Sequence, residues 1–394
     1  MSDVRAAWIT GIGIVSCLGE GLDAHWQGLQ SGQPAIDTTS YAPYYVHKLG
    51  ALDLDKQIPK KGDQRQMEPW QRIGTYAAGL ALDAAGIKGN AELLGHTDMI
   101  VAAGGGERDL AVDSAILSAL PTAEKREAYL NERLMSDLRP TLFLAQLSNL
   151  LAGNISLVHG VTGSSRTFMG EEQAGVDAVR IALSRILAGQ SEIALVGGSF
   201  NADRADVVML HAAGGSLTRG EPAGVWARAA VPGMALGSVG AFLVVEEQAH
   251  AKARGAAPMA RLCAVVAESR RRSAGSVADT LDRLWRGLDV EAGGTAVISG
   301  ATGTAPATGE EQSFLSAQPF HSVRATGTLI GHGLEPQFPL NIALAALALQ
   351  QRQMFPPHDR SGFERATGTA PTRVLVTGVG HWRGEGLALI EAVG

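Results

Sequence analysis

Asn154-Ile-Ser-Leu-Val-His-Gly-Val-Thr-Gly-Ser-Ser-Arg-Thr-Phe-Met-Gly-Glu-Glu-Gln-Ala-Gly-Val-Asp-Ala-Val-Arg-Ile-Ala-Leu183 is the stretch around which the chain is organised. Its first part reads as a loop or short extended segment, followed by a sharp turn at Gly170 and a helix to about Leu187. Val176, Val179, Ala182, Leu183 and Ile186 fall at the i, i+3, i+4 spacing of a buried helical stripe. Gly189 stands where glycine commonly closes a helix. Glu192 to Val196 then reads as a buried strand, with Gly197-Gly198 marking a close backbone approach. A helix that begins at a tight turn aims its unpaired N–H groups and its dipole at whatever sits there, and many enzymes place a nucleophile at that point. Here the turn holds Glu171 and Glu172. First-turn acids are common on helices, and each is worth about 0.3–1 kcal/mol.

Working outward, 394 residues suit two domains, or one large α/β unit with duplicated halves. Hydrophobic residues at 45% against 18% charged permit a large core. A net charge of −6 gives no electrostatic footprint for nucleic acid. No apolar run approaches the roughly 20 residues of a membrane span. The Met1 to Trp8 segment lacks the charged-then-apolar pattern of a secretion signal. Two cysteines, Cys17 and Cys263, do not make a disulfide framework. A cytoplasmic protein is therefore expected. The ten histidines do not cluster at ligand spacing, so no metal site is expected, and no cofactor either. Thr10-Gly-Ile-Gly-Ile-Val-Ser16 has two glycines of a dinucleotide loop but lacks the third, and no acidic residue closes a following strand.

The remaining pattern alternates strands and helices, as an α/β fold does. Strands are expected at Trp8–Ser16, Met99–Ala103, Ala241–Val245, Met259–Val266, Arg373–Thr377 and Leu387–Ala392. Helices are expected at Leu22–Ser31, Glu68–Ala85, Thr141–Ala152, Ser276–Leu288 (with Ser276 as N-cap) and Leu340–Leu349. Glu107 to Pro140 is charged and poorly patterned, and Phe200 to Ala230 reads as loop-rich. Cys17 reads as a structural thiol at a strand-to-helix turn, and Cys263 as a core thiol.

Several of these segments together resemble the β-ketoacyl synthases, the condensing enzymes of fatty acid and polyketide assembly. Thr10-Gly-Ile-Gly-Ile-Val-Ser-Cys-Leu-Gly19 resembles their opening. Leu147 to Ser156 and Ala188 to Gly198 resemble the runs on either side of their nucleophile elbow. A gapless count from both sides puts the family's cysteine position at Glu172; a one-residue shift would put Gln173 there. Thr302-Gly303-Thr304 matches the core of the family's His-Gly-Thr-x-Thr-Pro turn, with Gly300 at the histidine position. Ala325-Thr-Gly-Thr-Leu-Ile-Gly-His332 resembles Lys-Ser-x-x-Gly-His, with Gly327 at the lysine and His332 at the histidine. His381, Trp382 and Arg383 stand in what would be the family's glycine-rich gating loop.

The resemblance implies a thiolase-like five-layered α/β/α/β/α sandwich with two pseudo-duplicated halves, residues 1–247 and 248–394. It also implies that the catalytic positions Glu172, Gly300 and Gly327 are degenerate and His332 is retained. Condensation by this route needs a thiolate to take the acyl group and donors to hold an enolate. A chain without them is similar to the chain-length factors. Those proteins pair with an active ketosynthase in a heterodimer and wall off part of the growing-chain tunnel, in some systems for aryl polyenes. Expected partners are thus an active ketosynthase subunit and an acyl carrier protein. Arg166, Thr167, Phe168 and Met169 would lie at the dimer interface or tunnel, with Gln173 near them. Two other functions fit the same residues: a decarboxylase that primes synthesis from malonyl-carrier protein, and a homodimeric acyl-carrier-binding scaffold.

Overall fold

Along the chain the main elements are β1 (Ala7–Ser16), α1 (Pro69–Ala84), β2 (Thr97–Ala102), α2 (Leu150–His159), β3 (Ser165–Phe168), α3 (Glu172–Leu187), β4 (Ile193–Phe200), α4 (Ala205–Ala213) and β5 (Val239–Glu247). They continue as β6 (Ala260–Glu268), α5 (Ser276–Gly287), β7 (Thr295–Ser299), α6 (Ala307–Ala317), β8 (Ser322–Ala325), α7 (Gln337–Gln350), β9 (Arg373–Val379) and β10 (Glu385–Glu391). These come from a computed structural model, which describes residues 5–366 and 368–393. The Met1 to Val4 part of the segment inspected for a secretion signal lies outside the described residues.

The strands run in the order β8-β7-β9-β10-β6-β1-β5-β4-β2-β3. Each half repeats one plan. Numbered within its own half, the order is 3-2-4-5-1, with parallel pairs 3/2 and 2/4 and antiparallel pairs 4/5 and 5/1. The halves meet where Ala7, Trp8 and Ile9 of β1 pair antiparallel with Leu262, Arg261 and Ala260 of β6. A duplicated topology is what the two-halves expectation requires.

Side-chain alternation builds the layers. Successive strand residues point to opposite faces, so Leu243 and Val245 of β5 join the middle core while Phe242 and Val244 join an outer one. On β9, Val374 and Val376 face the middle and Leu375 faces the other outer core. The middle layer is α3 and α7, packed against both half-sheets. Outer layers are α1 with α2 on the first half and α5 with α6 on the second. This is the five-layered α/β/α/β/α sandwich. Every residue of α7 from Gln337 to Leu349 is buried, as a helix enclosed on all sides must be.

Several boundaries differ from the sequence reading. Asn154 to His159 is helix, not loop, because Leu151, Ala152, Ile155 and His159 make a buried stripe. The single helix expected at Thr141–Ala152 is two pieces, Pro140–Ala145 and α2, separated by a turn. Ser276 is the first helical residue of α5; Gly275, at φ 79°, is the cap, and the Ser276 hydroxyl accepts from the Ser273 N–H instead. The Phe200–Ala230 stretch contains α4 and a 3-10 turn at Val225–Ala230. Residues 107–140 carry two largely exposed helices, Leu110–Ala119 and Arg126–Asp137. Cys263 is half-buried on β6 rather than a core thiol. Cys17 is also half-buried, its thiol donating to the Leu329 carbonyl at 3.4 Å. Burial pushes both thiols up to about 12, which keeps them protonated and unreactive near neutrality. Among the described residues, no helix is long and apolar enough to cross a membrane.

Candidate functional site

The site forms where α3 begins. Gly170, at φ 135°, makes the turn that only glycine takes without strain. Glu171 follows at φ 57°, ψ −136°, a strained conformation for a residue with a side chain. The turn delivers Glu172 as the first residue of α3, where its side chain is buried.

Three donors converge on that carboxylate. Nε2–H of His332 donates to Oε1 at 2.9 Å. The backbone N–H of His381 donates to the same oxygen at 3.1 Å. Nδ1 of His381 lies 3.0 Å from Oε1 and 3.2 Å from Oε2. An ionised carboxylate only accepts, so each of these ring nitrogens carries a hydrogen. Burial pushes the Glu172 carboxyl up, but the bonds from His332 and His381 outweigh it and hold it below the usual carboxylate range. For His381, burial pushes the imidazole down and the Glu172 partnership overrides it, leaving the net shift upward. Next to it, Nε1–H of Trp382 donates to Oε2 of Glu171. The two adjacent glutamates thus clasp the 380–384 turn between β9 and β10.

Two cavities flank the clasp. One, of about 420 Å³, is lined by Trp70, Ser199, Arg204, Leu334 and Glu335 among others; the second, of about 680 Å³, by Pro232, Thr304, His381 and Trp382. Glu171, Leu210 and His211 line both. The His211 ring meets His381 edge-on at 5.5 Å. Burial, with the His381 charge beside it, lowers His211 to about 4, so it is neutral near pH 7. Glu335 is pushed up to about 8 by burial and by the charges of Glu172 and Glu171. Its Oε2 has no partner.

The sequence-derived positions can now be placed. It is Glu172, not Gln173, that meets His332; the Gln173 amide donates to Asp177 on α3's partly exposed side. Gly300, at the end of β7, has no room for a side chain, since a Cβ there would lie 2.6 Å from the Thr377 carbonyl oxygen. Gly327 is less confined, its nearest neighbour being the Val225 side chain at 3.0 Å. Arg166, Thr167 and Phe168 lie on β3, the last strand of the sheet, with Met169 just beyond. His381 and His211 carry more of the site than the sequence reading assigned them. By sequence His381 stands only in what would be the family's gating loop, and His211 sits on a helix, α4, within the stretch that reads as loop-rich. No spacing signal links either to Glu172, which lies 209 residues from His381. Folding also gathers what the sequence kept apart as ligands: Glu171, Glu172 and His381 have ligand atoms within 4.8 Å of one another.

The profile of the family described as Beta-ketoacyl synthase, N-terminal domain, matches residues 5–251, more than half of the chain. The chain belongs to the β-ketoacyl synthase family. Among its relatives is 3-oxoacyl-[acyl-carrier-protein] synthase 2 of Vibrio cholerae, 25% identical over 269 residues, 64% of this chain and 60% of that protein. The chain thus spans about three-fifths of the length of the curated relatives it matches. Two solved structures share the β-ketoacyl synthase fold across 99% of this chain. The ishigamide ketosynthase/chain length factor has a TM-score of 0.80 at 18% identity, with 100% of that chain covered. A type II polyketide synthase acyl-carrier protein in complex with its ketosynthase bound to the hexaketide has a TM-score of 0.73 at 17% identity, with 99% covered.

Proposed function

We propose that this β-ketoacyl synthase relative is a non-catalytic, chain-length-factor-like subunit. In this reading it pairs with an active ketosynthase and shapes the tunnel for a growing acyl or polyene chain in type II polyketide or fatty-acid-like synthesis. The observation that carries the reading is the clamped Glu172 carboxylate. It occupies the head of α3, where the resemblance puts the family's cysteine, and a carboxylate cannot form the acyl thioester of that route. It also consumes the His332 and His381 donors that an enolate would need. Gly300 supplies no donor, and its surroundings leave no space for one.

Association with a second subunit, which the reading takes to be the ketosynthase, is supported by the edge of the sheet. Among the described residues β3 pairs with β2 alone, so its outer edge is an open template for another strand. Apolar side chains exposed elsewhere on the first half, including Phe143, Leu157, Met169 and Met209, are of the kind that mark association surfaces. The acyl carrier protein is the further partner in this reading, an aryl polyene the product class, and the β5–β6 connection after Glu247 the boundary between halves.

Intact-mass spectrometry after incubation with acyl-loaded carrier protein tests it. The expected result is an unchanged mass, together with a ketosynthase that copurifies from the native host and loses activity without this chain. A stoichiometric acyl adduct on this chain sinks the reading. His381 does bring a second imidazole beside His332, which favours the priming decarboxylase as the alternative. Release of carbon dioxide from malonyl-carrier protein by the purified chain would establish that alternative.

A further inference from the structure

Glu171, Glu172 and His381 present one ligand atom each within a 4.8 Å compass, from the head of α3 and from the β9–β10 turn. We propose that these three residues form a binding site for a divalent metal ion of the zinc class. It stands apart from the subunit reading above and is tested by a different measurement.

The donor set selects the class of ion. Two carboxylates and one imidazole suit Zn²⁺, whereas Mg²⁺ and Ca²⁺ favour oxygen-only sets. The two oxygens of Glu172 are differently engaged. Oε1 takes the His332 Nε2–H, the His381 backbone N–H and the nearer approach of His381 Nδ1 at 3.0 Å, while Oε2 has only that nitrogen's 3.2 Å approach. An ion bridging Oε2, Nδ1 and a Glu171 oxygen replaces the proton on Nδ1 and leaves the two bonds to Oε1 in place. His332 is then the positioning residue, fixing the ligand carboxylate as outer-shell donors do. Glu171 and His381 both line the 680 Å³ cavity, so the remaining coordination position faces open space.

A second observation lies outside the cluster. Glu335 is buried, its Oε2 has no hydrogen-bond partner, and it lines the 420 Å³ cavity together with Glu171. An unsatisfied buried carboxyl oxygen is costly unless something occupies the space it faces. Glu171 is the residue that joins this cavity to the proposed site. The strained backbone of Glu171 is the kind found at binding sites, where surrounding contacts must hold it.

The test uses the full chain, stripped with a chelator and then titrated with ZnCl₂ by calorimetry, with metal content read by mass spectrometry. Expected are stoichiometric Zn²⁺ and a rise in Tm on loading. Glu171→Gln and His381→Ala should each weaken binding at least about 10–100-fold, the loss that even outer-shell changes produce. Circular dichroism melts of both variants check that they fold. No stoichiometric binding by the wild-type chain overturns the proposal. So does full affinity in both folded variants, since the ion would then sit elsewhere.

Discussion

Glu172 holds its charge inside the protein because the donors around it outweigh burial, and the pH dependence of that balance has a sign. Its depressed carboxyl contributes stability above the unfolded carboxylate range, near pH 4.3, and loses it as pH falls. His381, raised, contributes below its unfolded value, near pH 6.5, and loses it as pH rises. Both are present in full between about pH 4.3 and 6.5 and fade gradually on either side. Glu172→Gln should therefore cost about 1.5–3 kcal/mol in that window, the worth of charged hydrogen bonds. Denaturant melts from pH 3 to 8 should show the difference from wild type shrinking at both ends. Glu335 runs the other way. Its folded value of about 8 exceeds the unfolded one, so the folded state binds the extra proton and stability falls as pH rises toward 8. Glu335→Gln should flatten that slope between pH 6 and 8.5, and an unchanged slope would remove Glu335 as its source.

At the scale of elements, the contrast between Gly300 and Gly327 is a packing statement. β7 lies beside β9, and at Gly300 the Thr377 carbonyl fills the space a side chain would need. Gly300→Ala should destabilise by about 1–3 kcal/mol, as overpacking does. Gly327→Ala meets a Val225 methyl at 3.0 Å and the Ala301 carbonyl oxygen at 3.4 Å, both looser than the contact at Gly300, and should cost less. Thermal melts rank the two; a reversed order would mean that β7 and β9 can separate. Gly300 carries no side chain and has no space for one, so Glu172→Cys alone is not expected to give condensing activity.

Of the two end strands of the sheet, β3 is the more exposed, and its outer edge pairs with no strand among the described residues. Met169 is 67% exposed at the end of that strand. Met169→Asp should leave the folding stability within about 0.5 kcal/mol of wild type, as surface changes do, while weakening partner binding by about 2 kcal/mol or more. Analytical ultracentrifugation with the copurified ketosynthase separates these outcomes. Unchanged association would place the interface elsewhere.

How much was legible follows the range of each interaction. Helix and strand periodicity is local, so the sequence alone determined the alternating α/β order, the α3 stripe from Val176 to Ile186 and the enclosed α7. The elbow and the turns at Thr302 and His332 were legible as spaced motifs, and they led to the family and the fold class. Boundaries held to within a few residues, except where a buried stripe was short, as in α2, or lay beyond a polar segment, as in α4. What meets Glu172 was not legible, because contact across the fold leaves no trace in spacing. His381 reaches it from the far end of the chain, His211 meets His381 from a segment that reads as loop, and Glu335, in the turn before α7, feels the charge of Glu172. Only the tertiary structure decided that Glu172 rather than Gln173 faces His332, and that the Gly300 position is sealed. The physical reason is the same in each case. A side chain's partners are set by which layers pack together, and packing is a property of the whole sandwich rather than of any stretch within it.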